Sequence, residues 1–454
     1  MKSMMLNKIR IFCVLAVLVP FGIMAQEEIS EPISLEESVN YALENNRNLK
    51  TTRLEEAIAE TQVAETRAIG LPQVSFQSGM NYNYEVQKAF LPNEILGNPE
   101  PGFTPVQFSP EYDGNAVFSV SQLLFDGSYF VGLQAAKTLR QLRVKESNQS
   151  EIQTVETITK AYYLVLITEE RLKLLDANQE QLERVLNETK ALYQNGFAEK
   201  IDVDRISVNY NNLQTENSKA RRSYEMSMDM LKFQMGMPLN NALSLSGNIA
   251  DLTLEVGEYL TKTETFDYRE RTEYSILQTN QDLANLDLRN NKATHLPKLY
   301  GSFNYGWNSG VNSTSDLFNF NQNWLSFGAV GLSLRWDLFT GLGRASKMEK
   351  NRIQIDQIEI QKEQLKSSID MEINRTKDDL ISAKESLEVQ EENKELALSV
   401  YEQVEAKYKN GMASSRELLD AETAKKEAET NYYSSLYDAV IAKIELEKAL
   451  GILY

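Results

Sequence analysis

"PQVSFQSGMNYNYEV", Pro72 to Val86, alternates almost residue by residue between apolar and polar side chains. Val74, Phe76, Met80, Tyr82, Tyr84 and Val86 face one way, and Gln73, Ser75, Gln77, Asn81, Asn83 and Glu85 the other. Three later stretches repeat the pattern. Ala116, Phe118, Val120 and Leu124 stand against Ser119 and Ser121. Leu299, Phe303, Tyr305 and Trp307 oppose Lys298, Ser302, Asn304 and Asn308. Val330, Leu332, Leu334, Trp336 and Leu338 oppose Gly331, Ser333, Arg335 and Asp337. Strands of about 9–13 residues suffice to cross a bilayer at a tilt. A soluble half-buried sheet alternates in the same way. Here, however, the apolar faces are rich in aromatics, and the opposite faces carry the small polar and charged groups that suit a water-filled lumen. Open sheet edges are not tolerated in hydrocarbon, and about eight strands are needed to close a barrel. Copies of the chain must therefore share one: two would close a barrel, and three would give twelve strands.

Working outward, the chain reads as a tandem duplication. "YQNGFAEKIDV" from Tyr193 returns as "YKNGMASSREL" from Tyr408, a shift of 215. "LLFDG" around Phe125 answers "DLFTG" around Phe339 at 214, and "GLPQVSF" answers "HLPKLYGSF" through Pro72 and Pro297 at 225. The change of shift falls where the first half carries the insertion "FLPNEILGNPEPGFTPVQFSP", with five of the ten prolines. Each repeat reads helix, strand, loop, strand, very long helix, break, helix. The first helix opens at "SLEESVNYALENN", where Ser34 and Glu37 have capping-box spacing, and is expected to run unbroken to about Ile69. The long helices are expected over about Ser128–Gln194 and Arg344–Lys409, each roughly 100 Å at 1.5 Å per residue. Leu175, Leu182 and Thr189, with Asn178, Val185 and Leu192, recur at the coiled-coil period.

The first 25 residues read as a secretory signal peptide: Lys2, Lys8 and Arg10 precede an apolar run from Ile11 to Met24 that ends at Ala25. The only cysteine, Cys13, lies inside it and lacks the small-residue context of a lipid-attachment site. The remainder is expected to have no disulfide and no thiolate chemistry. Removal of the three basic residues leaves 44 basic against 65 acidic side chains, a formal −21. Such a chain repels nucleic acid. His295 is the only histidine, and no phosphate loop, nucleophile elbow or zinc spacing is present, so neither catalysis nor a cofactor or metal is expected. Two repeats follow, 26–250 (strand pair 72–125, hairpin tip near 195–200) and 251–454 (strand pair 297–339, tip near 410–415).

The paired tip segments, the Leu-Pro before the first strand of each half and "SLEESVNYALENN" together resemble the TolC-type outer-membrane efflux and secretion ducts, over the whole chain after the signal segment. That resemblance implies a mixed α/β membrane protein whose homotrimer shares a twelve-stranded outer-membrane β-barrel, set in outer-membrane lipid and continued by a periplasmic α-helical coiled-coil barrel. It implies a passive exit duct that works with a periplasmic adaptor (membrane fusion) protein and an inner-membrane transporter of the resistance-nodulation-division or ABC type. It also implies a small mixed belt at the waist, from Pro238 to about Thr265 and the chain ends near Glu27 and Tyr454. The residues alone leave another reading open, a structural or adhesive coiled-coil protein of the cell envelope.

By the same resemblance the tips, Gly196, Phe197 and Ala198 with Gly411, Met412 and Ala413, dock the adaptor, although Asn-Gly is also a generic turn. Glu417 and Asp420 match positions that ring the narrowest point with acids. Ser414 and Glu417 equally have capping-box spacing, and acids in a first turn complement the helix dipole. Asp202 and Tyr408 match two partners of a latch between hairpins. The arginine that the latch leads one to expect is Ala413 here, and Arg416 is the candidate substitute.

Overall fold

The computed structural model describes residues 32–97, 99–247, 249, 259, 262–263, 266–321 and 323–453. The signal segment lies outside the described residues, as does much of the expected belt. Two helices open the chain, α1 (Leu35–Asn45) and α2 (Arg47–Ala68), where the sequence suggested one. The break is the work of Asn46. Its side chain accepts the Leu49 N–H at 3.0 Å and donates to the Gln234 carbonyl at 2.6 Å, so it caps a new helix instead of continuing the old one. The Ser34–Glu37 capping box closes in both directions, at 3.2 and 2.7 Å.

Four strands, β1 (Gln73–Tyr82), β4 (Tyr112–Phe125), β5 (Lys298–Val311) and β6 (Trp324–Arg335), form one antiparallel sheet in the order β1-β4-β5-β6. Its apolar face is bare: Val330 is 81% and Leu332 75% exposed. The proline-rich insertion is more than a loop. It holds a second hairpin, β2 (Lys88–Pro92) with β3 (Phe103–Gln107), around a 3-10 turn. Two strands end earlier than the alternation suggests. β1 stops at Tyr82, after which the Asn83 side chain donates to the Pro110 carbonyl (3.1 Å) and to Asp113 (3.0 Å), turning the chain into the insertion. β6 stops at Arg335 because its partner β5 begins at Lys298, just after Pro297, which has no N–H to offer a ladder.

The duplication is visible in the pairing. Shifting β1 by 225 and β4 by 214 turns Gln73↔Ser121 into Lys298↔Arg335 and Tyr82↔Tyr112 into Trp307↔Ser326, and both derived pairs exist. It extends to a tie at the base of each hairpin. Gln122 Nε2 donates to the Gly70 carbonyl at 2.7 Å, and Trp336 Nε1 donates to the His295 carbonyl at 3.0 Å. Different side chains keep the same bond.

Below the sheet run α3 (Gly127–Gln194, 68 residues) and α4 (Lys200–Met235), then α5 (Thr272–Ala293), and finally α6 (Gly343–Lys409, 67 residues) and α7 (Ser415–Ala449). Asp126 joins sheet to rod: its carboxylate accepts the Ser128 N–H at 2.8 Å as the cap of α3 and pairs with Lys298 of β5 at 2.8 Å. The heptad positions Leu175, Asn178, Leu182, Val185 and Thr189 are buried along α3, whereas Leu192 is exposed, because the helix is already in its last turn.

Three of the apolar clusters among the described residues follow the rods along their length. One, at the waist, joins Ile158, Tyr162 and Val165 to Leu231 and Met235. Another lies toward the tips, around Leu182, Ile206, Leu213 and Leu418. The third packs Ile369 and Leu380 on Leu446 and Leu450. Among the described residues of the expected belt, Ile33 and Leu245 form a parallel bridge. At the waist Gly236, at φ 77°, lies so close to α1 that a Cβ would meet the Asn45 carbonyl oxygen at 2.3 Å. Beside it in function is Arg271, buried, which donates from Nε to Glu273 (3.0 Å) and from Nη1 to Glu372 (3.0 Å) and the Ala449 carbonyl (2.9 Å). It ties the Ala449 carbonyl, at the C-terminal end of α7, to α5 and α6.

Candidate hairpin tips and the contacts between them

Both long helices end by the same device. Asn195 and Asn410 turn their amides back onto the Ala191 and Ala406 carbonyls, at 2.7 and 2.8 Å. Gly196 and Gly411 follow at φ 82° and 69°. The next residue closes the motif: Phe197 N–H reaches the Leu192 carbonyl and Met412 N–H the Lys407 carbonyl, both at 2.8 Å. This is a Schellman stop, which needs a residue that enters the left-handed region without penalty. It leaves Phe197 and Met412, at 81% and 71% exposure, as two apolar side chains at one pole of the molecule, with Ala198 and Ala413 half-buried behind them.

The helices leaving the tips both begin with a capping box, Glu199 with Asp202 and Ser414 with Glu417. Ser414 caps α7: its hydroxyl accepts the Glu417 N–H at 3.2 Å, and Glu417 Oε2 accepts the Ser414 N–H at 2.7 Å and its hydroxyl at 3.0 Å. Hydrogen bonds from the Ser414 backbone and then its hydroxyl hold the Glu417 carboxyl below the usual carboxylate range. The capping role of Glu417 is therefore present in the structure. Asp420, one turn on, pairs with Arg416 at 3.7 Å within the same helix, both exposed. On the other hairpin the Glu199 N–H donates to Asp202 at 3.4 Å.

Asp202 and Tyr408 do not meet each other. Each reaches the opposite hairpin through a different partner. The Ser415 hydroxyl of α7 donates to Asp202 Oδ1 of α4 at 2.5 Å, and Ser415 is itself buried. Tyr408 of α6 lies 2.8 Å from Thr189 Oγ1 of α3. The Thr189 proton already goes to the Val185 carbonyl (2.8 Å), so Tyr408 is the donor. Ser415 and Thr189 were not legible as partners from spacing, since each lies more than 200 residues from the group it bonds.

Deeper between the hairpins lies a set of polar groups that sequence reasoning named only in part. Asn178, at a core heptad position, donates to Glu429 at 3.2 Å and accepts from Lys425 at 3.1 Å; all three are buried. Lys425 stands 5.0 Å from the centre of the Tyr401 ring. A polar residue at a core heptad position is the available signal, because such residues fix register between helices. Nearby, Lys426 pairs with Glu216 of α4 at 2.9 Å.

Burial pushes the Glu422 carboxyl up to about 7 from 4.5, opposed by Lys426 and Lys425. Its folded pKa exceeds its unfolded one, so the native state favours the protonated acid, and stability falls as pH rises from about 4.5 through about 7. Glu422→Gln is expected to remove that slope, stabilising the protein by up to about 3 kcal/mol at pH 8 and by nothing at pH 4.5. Thermal unfolding followed by circular dichroism at the two pH values measures it. An equal change at both would show that the carboxyl does not titrate in this window.

Compared with known proteins, the chain matches the model of the outer membrane efflux protein family over residues 39–236 and 276–452, one segment in each repeat. It is 23% identical over 433 residues to outer membrane protein TolC of Vibrio cholerae, covering 92% of this chain and 91% of that one. It is 22% identical over 327 residues to the proteases secretion protein PrtF of Dickeya chrysanthemi, covering 71% and 67%. Among solved structures, the CmeC outer membrane channel of Campylobacter jejuni shares the fold, with a TM-score of 0.71 over 92% of this chain and 86% of that one, at 15% identity. Two rods ending in matched tips, a sheet with a bare apolar face and a match in both repeats lead to one conclusion: the chain belongs to the outer membrane efflux protein family.

Proposed function

We propose that this outer-membrane exit duct for efflux or secretion works as a homotrimer, which receives substrates from an inner-membrane transporter of the resistance-nodulation-division or ABC type through a periplasmic adaptor. The observation that carries the reading is the four-stranded sheet, whose apolar face is exposed and whose two edge strands, β1 and β6, each pair on one side only. In lipid the apolar face is satisfied, but the free edges are not, and closure needs further copies. With the family established, the envelope coiled-coil alternative falls.

The tips then become the adaptor's docking face: Phe197 and Met412 offer exposed apolar anchors, and Gly196 and Gly411, with Ala198 and Ala413, keep the surroundings small. Glu417 and Asp420 are three apart on one helical side, so three copies bring up to six carboxylates to the aperture, with Glu417 capping its helix at the same time. Tyr408 and Asp202 belong to the latch, through Thr189 and Ser415. The test is direct. Extracted from outer membranes in detergent, the protein is expected to run as a trimer unheated and as a monomer after boiling, and to form channels in planar bilayers. Release of a soluble monomeric rod by salt would overturn the reading. Loss of the gene, compared for antibiotic susceptibility and for the secreted proteome, distinguishes efflux from secretion.

A further inference from the structure

Building on the shared barrel, the internal repeat makes the seam between copies readable residue by residue. A chain built from two similar hairpins contains one junction between repeats, β4 against β5. A ring of such chains repeats that junction between β6 of one copy and β1 of the next, as a head-to-tail contact. The shifts of 214 for β4→β6 and 225 for β1→β5 are the ones that carry the first hairpin's register onto the second's, so they carry this junction as well. Phe118↔Tyr305 becomes Leu332↔Met80, and Ser121↔Ser302 becomes Arg335↔Gln77. The derived register sets apolar against apolar and polar against polar, which a slip of one residue would destroy.

The base of the sheet carries a second, independent mark. Inside the chain, Gly127 is covered: a Cβ there would meet Leu296 at 2.8 Å and Ala293 at 3.4 Å. The repeat partners of these residues are Gly341, Leu71 and Ala68. Among the described residues nothing lies within 4 Å of a Cβ at Gly341, and Leu71 is exposed. Leu338 and Phe339 are 77% and 80% exposed, against 48% and 40% for Leu124 and Phe125, which they repeat. The second junction has both halves of the contact and neither is filled.

We propose that a second copy of this chain fills it, with its β1 edge on β6 in the register Leu332↔Met80 and Arg335↔Gln77, and its Leu71 corner over Gly341. The two junctions differ chemically. Where the chain has Asp126 beside Lys298, the seam between copies has Thr340 beside Gln73, so the inner junction is ionic and the outer one neutral.

Cysteine pairs in the full-length protein test this in a Cys13→Ser background, which leaves no other thiol. Leu332→Cys with Met80→Cys, and Arg335→Cys with Gln77→Cys, cover both faces of the sheet. Directly opposed positions lie within disulfide reach and diagonal ones do not. Under mild oxidation both pairs are expected to give reductant-sensitive covalent trimers on denaturing gels. The shifted pairs Leu332→Cys with Ser78→Cys, and Arg335→Cys with Ser75→Cys, are expected to give at least about tenfold less, in line with that reach. Single-cysteine variants control for assembly. If the unheated protein is trimeric but the shifted pairs link as well as the matched ones, or neither links, the register is wrong while the shared barrel stands. If the unheated protein is monomeric and no pair links, the shared barrel itself fails and the seam with it.

Discussion

Ser415→Ala is expected to raise the open fraction of the reconstituted channel about 100-fold. The Ser415 hydroxyl bonds Asp202 across the two hairpins, and the half-buried Asp202 can recruit water when that bond is lost. A net cost nearer 1 than 3 kcal/mol per copy follows, about 1 kcal/mol being typical of a bond whose acceptor stays hydrated. In the trimer and with the latch proposed above, opening that parts the hairpins of three copies together collects that term three times, about 3 kcal/mol, or roughly two orders of magnitude in the closed-to-open ratio. Asp202→Ala removes the same bond and also the acceptor for the Glu199 N–H, so it mixes latch with helix start. Ser415→Ala does not. Tyr408→Phe deletes the second link while Thr189 keeps its bond to Val185, so a smaller rise is expected, with the double variant exceeding either. Single-channel recording on trimers of unchanged thermal stability measures it. Conductance and open fraction at the parent level in the double variant would remove the latch from the description of these tips.

Arg271→Ala is expected to destabilise the protein by about 3–5 kcal/mol, the usual result of removing one partner from a buried ionic set. The guanidinium grips Glu273 with two nitrogens, at 3.0 and 3.3 Å, and serves Glu372 and the Ala449 carbonyl with a third bond donor. Burial alone would raise the Glu273 carboxyl; the bond and charge of Arg271 outweigh it and hold that group below the usual range. A lowered carboxyl contributes stability that is present above the unfolded pKa, 4.5 here, and is lost as pH falls through the folded value. The loss in Arg271→Ala is therefore expected in full at pH 7 and reduced as pH falls through the 4.5 of the unfolded chain, where the orphaned Glu273 carboxyl, which burial alone raises, is protonated. Replacing Arg271, Glu273 and Glu372 together by apolar residues of similar volume is expected to recover much of it. Apparent melting temperatures by circular dichroism in detergent check all three statements. An unchanged melting temperature in Arg271→Ala would mean that the waist does not depend on this tie.

Where the chain would form strands, rods and stops was legible because those signals are local. Alternation of period two, a seven-residue repeat and Asn-Gly are each contained within a few turns of chain, and the duplication displays each of them twice. The strand ends were less legible, since β1 and β6 stop where their in-chain partners stop, at Tyr112 and Lys298. The helix break at Asn46 has no local signal for a similar reason: its amide also donates to the Gln234 carbonyl, 188 residues away.

By itself the sequence determined the two-repeat plan, the four amphipathic strands, the lengths of the rods and the identity of the two tips. All of these follow from residue types at short spacing. Tertiary structure alone decided that Asp202 bonds Ser415 and Tyr408 bonds Thr189, that burial raises Glu422, and that Arg271 gathers two acids and a helix end. Each depends on which side chains the packing of distant helices brings within about 3 Å, the range over which hydrogen bonds act.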